Sequence, residues 1–174
     1  MAEVDFLIQA LLKEHSKAQA EYIRAWVGKE SHRFRALVEL LLGANLKLAQ
    51  RAAWPLGWIG DTEPQRFLPF MEPMLKALRE PLHPAIPRTI WRTFTLLDLP
   101  EDWHGEVLEL AYQYLQDPKY PVAPRVHAMQ VAYDISLKYP ELKPELAMVI
   151  EAHLPDSSAG FRSRGKKLLA NLKK

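Results

Sequence analysis

Arginine and tryptophan side chains at regular spacing are the features of this sequence that could bind a ligand. Four arginines recur at intervals of 37, 37 and 39 residues, at positions Arg51, Arg88, Arg125 and Arg164. Trp54 and Trp91 each follow one of these arginines by three residues. Arginine and tryptophan are favoured in binding hot spots. On a helical wheel Arg88 and Arg92 share one face with Trp91 beside it, and we therefore predict a binding surface formed by Trp54, Arg88, Trp91 and Arg92.

Arg125 has different neighbours from Arg88. On the same wheel the polar residues of that segment lie opposite Arg125, which is flanked by Val122, Val126, Met129 and Ala132. This pattern predicts a half-buried arginine with a structural role. For the four arginines as a series the structural role is favoured, and a ligand-binding row is the alternative.

A second concentration of positive charge lies near residue 174. Residues 156–174 have a net charge of +5, whereas the whole chain has +2, so the remaining residues are slightly acidic. A basic terminal helix can be the solvated cap that a repeat array needs, or it can attract phosphate polyanions. The candidate anion-binding residues here are Arg162, Arg164, Lys166 and Lys167.

Familiar catalytic and cofactor-binding patterns are absent from the sequence. The six histidines include no pair four residues apart and no HExxH, which argues against a metal site on one helix. Neither GxGxxG nor GxxxxGK[ST] occurs, so no phosphate-binding loop is predicted. The absence of cysteine excludes disulfides, thiolate ligands and thiol nucleophiles. We therefore predict no metal, no cofactor and no catalytic residue, and favour a protein that is not an enzyme.

One stretch has the composition of a catalytic loop. Residues 156–167 resemble the serine-rich loop of the fumarase and adenylosuccinate lyase superfamily at Ser157, Ser158 and Ala159, but the Met, Pro and Lys of that loop are not matched. We interpret the likeness as coincidence and Ser157 as a candidate N-cap of the last helix. A lyase activity resting on this stretch alone is the least favoured alternative.

The elements that would position these residues are helices throughout. Apolar residues recur at helical period, and no segment alternates with period two. Ser16 is a candidate N-cap, and further helices are predicted to begin near Leu46, Ala85, Val122 and Gly160. The pattern indicates nine or ten helices in pairs. Because the pairs repeat about every 37 residues and one pair cannot bury its own apolar face, the sequence predicts a solenoid.

The repeat pattern also carries a family resemblance. An acidic residue precedes three of the four arginines by eight positions, at Glu80, Asp117 and Asp156, and the second helix of a pair opens with a small or aliphatic residue and the arginine. In this the chain resembles the HEAT-repeat, armadillo-like family over residues 30–174, with residues 1–29 as a degenerate cap pair in which Tyr22 takes the place of the arginine.

The resemblance implies a fold and a set of contacts. It implies an all-α, right-handed α-α superhelix of about four to five antiparallel helix pairs in a single domain, residues 1–174. Residues 30–174 would form four repeats, the last with a basic capping helix. It also implies a ladder of hydrogen bonds between the turn acids Glu80, Asp117 and Asp156 and the helix arginines Arg51, Arg88, Arg125 and Arg164.

Two functions follow as expectations. The first is a non-enzymatic scaffold that binds a protein or peptide partner. The alternative is nucleic-acid binding, because the chain is similar in size and repeat type to the HEAT-like alkylpurine DNA glycosylases, which excise bases with a carboxylate near tryptophans. One turn after Trp54 and Trp91 the residues are Trp58 and Thr95, so base excision is not expected.

The expected compartment follows from the terminal segment and the hydropathy. Acidic residues stand where a signal peptide carries positive charge, and no apolar run approaches the about 20 residues of a membrane span. These observations predict a cytoplasmic protein without a membrane partner. They leave the oligomeric state open.

Overall fold

The computed structural model describes residues 2–80 and 83–173, and within these the secondary structure is entirely helical. The α-helices are α1 (Ala2–Lys13), α2 (Lys17–Val27), α3 (Ser31–Leu42), α4 (Leu46–Thr62), α5 (Met71–Leu78), α6 (Ala85–Phe94), α7 (His104–Gln116), α8 (Val122–Lys138), α9 (Lys143–His153) and α10 (Ala159–Leu172). Short 3₁₀ helices span Pro64–Phe70, Glu101–Trp103 and Pro140–Leu142. The predicted all-α class is confirmed.

Most helices begin where local sequence signals place them. Helices α4, α6 and α8 begin at the predicted residues, and α10 begins one residue before Gly160. The Ser16 Oγ accepts a hydrogen bond from the Gln19 amide at 3.1 Å, which confirms Ser16 as the N-cap of α2. An N-cap hydroxyl satisfies one of the amides that have no acceptor within the first turn.

The N-cap of α10 is Ser158, and the prediction of Ser157 was wrong. The Ser158 Oγ accepts a hydrogen bond from the Phe161 amide at 3.3 Å. Ser157 instead donates its hydroxyl to the Leu154 carbonyl at 2.9 Å. Since Ser158 directly precedes the first helical residue and has an extended backbone, its side chain is the one that reaches the amide three residues on.

The chain divides into two compact units, residues 1–96 and residues 97–174. In the first unit α1, α3 and α5 pack on one another in order, and so do α2, α4 and α6. In the second unit α7 packs on α9, and α8 packs on α10. This stacking of like helices from successive pairs is the solenoid arrangement. The continuity of residues 1–174 as one domain stays a prediction.

Small side chains bring α4 and α6 of the first unit close together. A Cβ added to Gly60 in α4 would lie 2.7 Å from the Thr93 Oγ1 in α6. The Thr89 hydroxyl lies 2.9 Å from the carbonyl of Ala85 in its own helix and 3.4 Å from the carbonyl of Ala53 in α4. Close packing on this side leaves the outer faces of α4 and α6 to form the walls of a surface groove.

None of the helices within residues 2–80 and 83–173 combines the length and the apolar composition that crossing a membrane requires.

Candidate binding groove

A groove of about 430 Å³ lies on the first unit, and we call it the Trp54 groove. Its α4 wall is formed by Trp54, Gly57, Trp58 and Asp61, and its α6 wall by Arg88 and Arg92. His15, between α1 and α2, also lines it. Residues spaced by three or four positions share one face of a helix, which is why these four α4 residues line one surface. The structure thus brings together three of the predicted binding residues: Trp54, Arg88 and Arg92.

Aromatic rings form one side of the Trp54 groove. The ring centroids of Trp54 and Trp58 are 5.7 Å apart, and the His15 ring lies 5.3 Å from that of Trp54. Both indoles are half-buried. They are therefore held by the protein and still present ring surface to the groove.

The charged side chains on the other side of the groove form one ion pair, and one further cation stays outside that pair. Arg92 donates two hydrogen bonds to Asp61, from Nε to Oδ1 and from Nη2 to Oδ2, both at 2.8 Å. The side chain of Arg88 is exposed, and its guanidinium makes neither a hydrogen bond nor an ion pair with any residue that the structure describes. A guanidinium stays charged at all ordinary pH values, so Arg88 gives the groove a net positive charge.

The other three repeat arginines have partners inside the protein. Arg51 donates from Nη1 to the Leu11 carbonyl at 2.7 Å, and Arg125 donates from Nη2 to the Leu115 carbonyl at 2.9 Å. Leu11 and Leu115 lie in the last turns of α1 and α7, where carbonyls have no helical donor and the helix dipole favours a cation. Arg164 donates from Nη1 to the Gln130 Oε1 at 2.6 Å.

The predicted acid–arginine ladder is therefore corrected. Within residues 2–80 and 83–173, Glu80, Asp117 and Asp156 form no hydrogen bond or ion pair with Arg51, Arg88, Arg125 or Arg164. The Asp117 Oδ1 accepts instead from the Lys119 amide at 2.9 Å. Three of the arginines donate instead to backbone carbonyls at helix ends and to a side-chain amide, which lie within reach of the second helices. Removing water from these neutral acceptors costs less free energy than removing it from a carboxylate.

Arg125 is the most enclosed of the four arginines. Its side chain is buried and its guanidinium carbon lies 4.6 Å from the centroid of the Phe161 ring. Burial lowers the pKa of Arg125, and the nearby Asp117 carboxylate opposes that shift. The Arg125 contacts join α8 to α7 and α10, which is a structural role.

Comparison with protein-family models gives a match over nearly the whole chain. The family model described as the HEAT repeat domain matches residues 7–172. The chain belongs to the HEAT repeat family. Comparison with curated proteins and with solved structures gave no match. A HEAT repeat chain is a helical repeat scaffold, and here the match includes most of the α1–α2 pair that the sequence set apart as a cap.

Trp91 of the HEAT repeat chain is not part of the groove, contrary to the prediction. Its side chain is fully buried, with its ring centroid 5.7 Å from that of Phe94. Trp91 and Phe94 are three residues apart and so share the inward face of α6. The indole that lines the groove beside Trp54 is Trp58, which sequence reasoning missed as a binding residue. Its signal was the spacing of Trp54, Trp58 and Asp61, which follows one helical face.

The basic residues of α10 lie in the second unit and do not line the Trp54 groove. Arg162, Lys166 and Lys167 are exposed, whereas Arg164 is half-buried against Gln130. Gln130 in turn donates to the Asp134 Oδ1 at 2.8 Å. Arg164 thus belongs to a polar cluster between α10 and α8, and the other three remain candidate anion-binding residues.

No group of three or more His, Cys, Asp or Glu side chains in the described part of the chain is arranged to hold a metal ion.

Proposed function

We propose that this HEAT repeat chain is a non-enzymatic interaction scaffold that binds a protein or peptide partner in the Trp54 groove. The observation that carries the proposal is the convergence of two half-buried indoles and one unpaired guanidinium, those of Trp54, Trp58 and Arg88, on one groove.

The side chains of the groove suit a recognition surface. Tryptophan and arginine are the residues most often responsible for binding energy at interfaces. Packed helices hold both indoles in place before a partner arrives, so little side-chain entropy is lost on binding. A volume of about 430 Å³ accommodates a few side chains of a partner rather than a whole domain.

Gly57 offers a direct way to obstruct the groove without disturbing the core. A Cβ added at Gly57 would meet no atom within 4 Å. A leucine there points back toward Trp54, because helical side chains lean toward the preceding turn. Gly105, in the first turn of α7, is a matched control, since a Cβ there also meets nothing within 4 Å.

The test is affinity capture from an extract of the source organism with three baits: the unaltered chain, Gly57→Leu and Gly105→Leu. We expect at least one protein to be captured by the unaltered chain and by Gly105→Leu and to be lost with Gly57→Leu. Equal capture by all three baits, or no specific capture by any, would refute the proposal. Unchanged circular dichroism of both variants shows that the fold is intact.

Nucleic-acid binding is the second candidate, and Asp61 is the observation that favours it. The sequence has no carboxylate one turn after Trp54 or Trp91, yet Asp61 lies in the groove with Trp54 and Trp58. Tryptophans with a carboxylate are the set that the HEAT-like alkylpurine DNA glycosylases use. Both carboxylate oxygens of Asp61 are engaged by Arg92, which favours binding over base excision.

Titration of duplex DNA at two salt concentrations tests this candidate. Neutralisation of phosphates by arginine and lysine makes the affinity fall steeply as salt is added. We expect Arg88→Gln to weaken such binding if DNA occupies the groove. Absence of salt-sensitive binding at the lower salt concentration would remove the candidate.

A further inference from the structure

We infer that the Trp54 groove recognises a peptide segment in which an acidic residue stands next to an aromatic or large aliphatic residue. Arg88 binds the carboxylate and the indoles of Trp54 and Trp58 bind the apolar side chain. This inference rests on the proposed function, because it specifies the partner of the same groove.

The first argument comes from the repeat series. Arg51, Arg125 and Arg164 each donate to an acceptor within the protein. Arg88 occupies the equivalent position of its repeat, and its guanidinium lines the groove and has no hydrogen-bond or ion-pair partner among the described residues. Its guanidinium donors are therefore accessible to an acceptor on a partner molecule. The planar fork of a guanidinium matches a carboxylate, which it can bind with two parallel hydrogen bonds.

The second argument is charge complementarity. Asp61 is the one carboxylate that lines the groove within the described residues, and its charge is balanced by the two hydrogen bonds from Arg92. The remaining charge is that of Arg88. An incoming carboxylate thus meets an unpaired cation without meeting an unpaired anion.

The third argument concerns the apolar neighbour. Trp54 and Trp58 project from α4 into the groove that Arg88 lines from α6. Aromatic pairs gain energy in offset or edge-to-face contact, and a large aliphatic side chain also buries apolar area against an indole. Since a groove of about 430 Å³ holds only a few side chains, we place the carboxylate and the apolar group on neighbouring residues of the peptide.

Selection from a random eight-residue peptide library displayed on phage tests the inference. The bait is the full unaltered chain, and clones that also bind the groove-obstructed Gly57→Leu variant are discarded. We expect the surviving sequences to share an Asp or Glu next to Phe, Tyr, Trp, Leu or Met. Groove-dependent sequences without an acidic residue would overturn this inference and leave the proposed function standing. A complete lack of groove-dependent sequences would refute both.

Charge variants then locate the carboxylate contact. For a selected peptide labelled with fluorescein, polarisation should show that Arg88→Gln weakens binding by about tenfold or more, as loss of a hydrogen-bonded charge pair requires. Arg24→Gln is the matched control, because Arg24 is an exposed arginine of α2 outside the groove. Equal weakening by both variants would indicate general electrostatic attraction and overturn the Arg88 contact. Displacement of the peptide by duplex DNA at equal concentration would overturn the peptide as preferred occupant.

Discussion

Two glycines of α4, three residues apart, are expected to respond in opposite ways to the same substitution. Gly57 and Gly60 both lie inside α4, which spans Leu46–Thr62. A Cβ at Gly57 faces open space, whereas a Cβ at Gly60 would lie 2.7 Å from the Thr93 Oγ1 and 3.6 Å from a ring carbon of Phe67. We predict that Gly57→Ala stabilises the protein and that Gly60→Ala destabilises it.

The magnitudes follow from helix propensity and packing. Replacing glycine by alanine inside a helix lowers the backbone entropy of the unfolded chain and contributes about 0.5–1 kcal/mol. At Gly57 no clash opposes this gain. At Gly60 the new methyl group is too close to Thr93, which is β-branched and fully buried and so has little freedom to move. Overpacking costs about 1–3 kcal/mol, which leaves a net loss of about 1 kcal/mol.

Urea unfolding followed by tryptophan fluorescence measures both effects. Four of the five tryptophans lie in the first unit with the two glycines: Trp26, Trp54, Trp58 and Trp91. A change of 1 kcal/mol should also move the melting temperature by about 2–4 °C for a chain of this size. If both variants shift the free energy of unfolding in the same direction, the close approach of α4 and α6 at Gly60 is refuted.

Three further outcomes can be measured by unfolding experiments. Arg125→Ala should cost about 2–4 kcal/mol of unfolding free energy, because it removes the bond to the Leu115 carbonyl and the contact with the Phe161 ring; a cost no larger than that of Arg162→Ala would contradict its structural role. Ser158→Ala should cost about 1 kcal/mol through loss of the N-cap, and Ser157→Ala should cost less; the reverse order would restore Ser157 as the cap. The hydrogen bond from Arg33 holds the pKa of Glu3 below its ordinary value of 4.5. Glu3 therefore stabilises the folded state above that pH, and this effect is lost as the pH falls through its folded pKa. Between pH 6 and pH 3 the unaltered chain should lose more stability than Glu3→Gln, and parallel plots of stability against pH for the two would contradict this.

Helix starts were predictable because their signals are local. Ser16 caps α2, and the Asn45 side chain accepts from the Leu48 amide at 3.2 Å to cap α4, which begins where predicted. Ser157 and Ser158 show the limit of such signals. Both serines stand before the same helix, and the backbone conformation decides which hydroxyl reaches a free amide.

The site was only partly predictable. Trp54, Arg88 and Arg92 were expected to act together and do line one groove. Trp91 was included because it lies beside Arg88 on a helical wheel, but a wheel does not show which face packs against other helices, and Trp91 is in the core. Trp58 was not predicted because no tryptophan stands at its position, seven residues after the arginine, in the other repeats.

The sequence alone determined the class of this protein. Its helical period, its capping residues and the interval of about 37 residues between arginines specify stacked helix pairs, because each of these acts within one helix or one repeat. Tertiary structure decided what each arginine does. Arg51 reaches the Leu11 carbonyl 40 positions earlier, a contact that depends on where a neighbouring helix ends. Arg88 has no such partner in the described chain and faces the Trp54 groove instead, so the same residue at the same repeat position is structural in one place and exposed for binding in another.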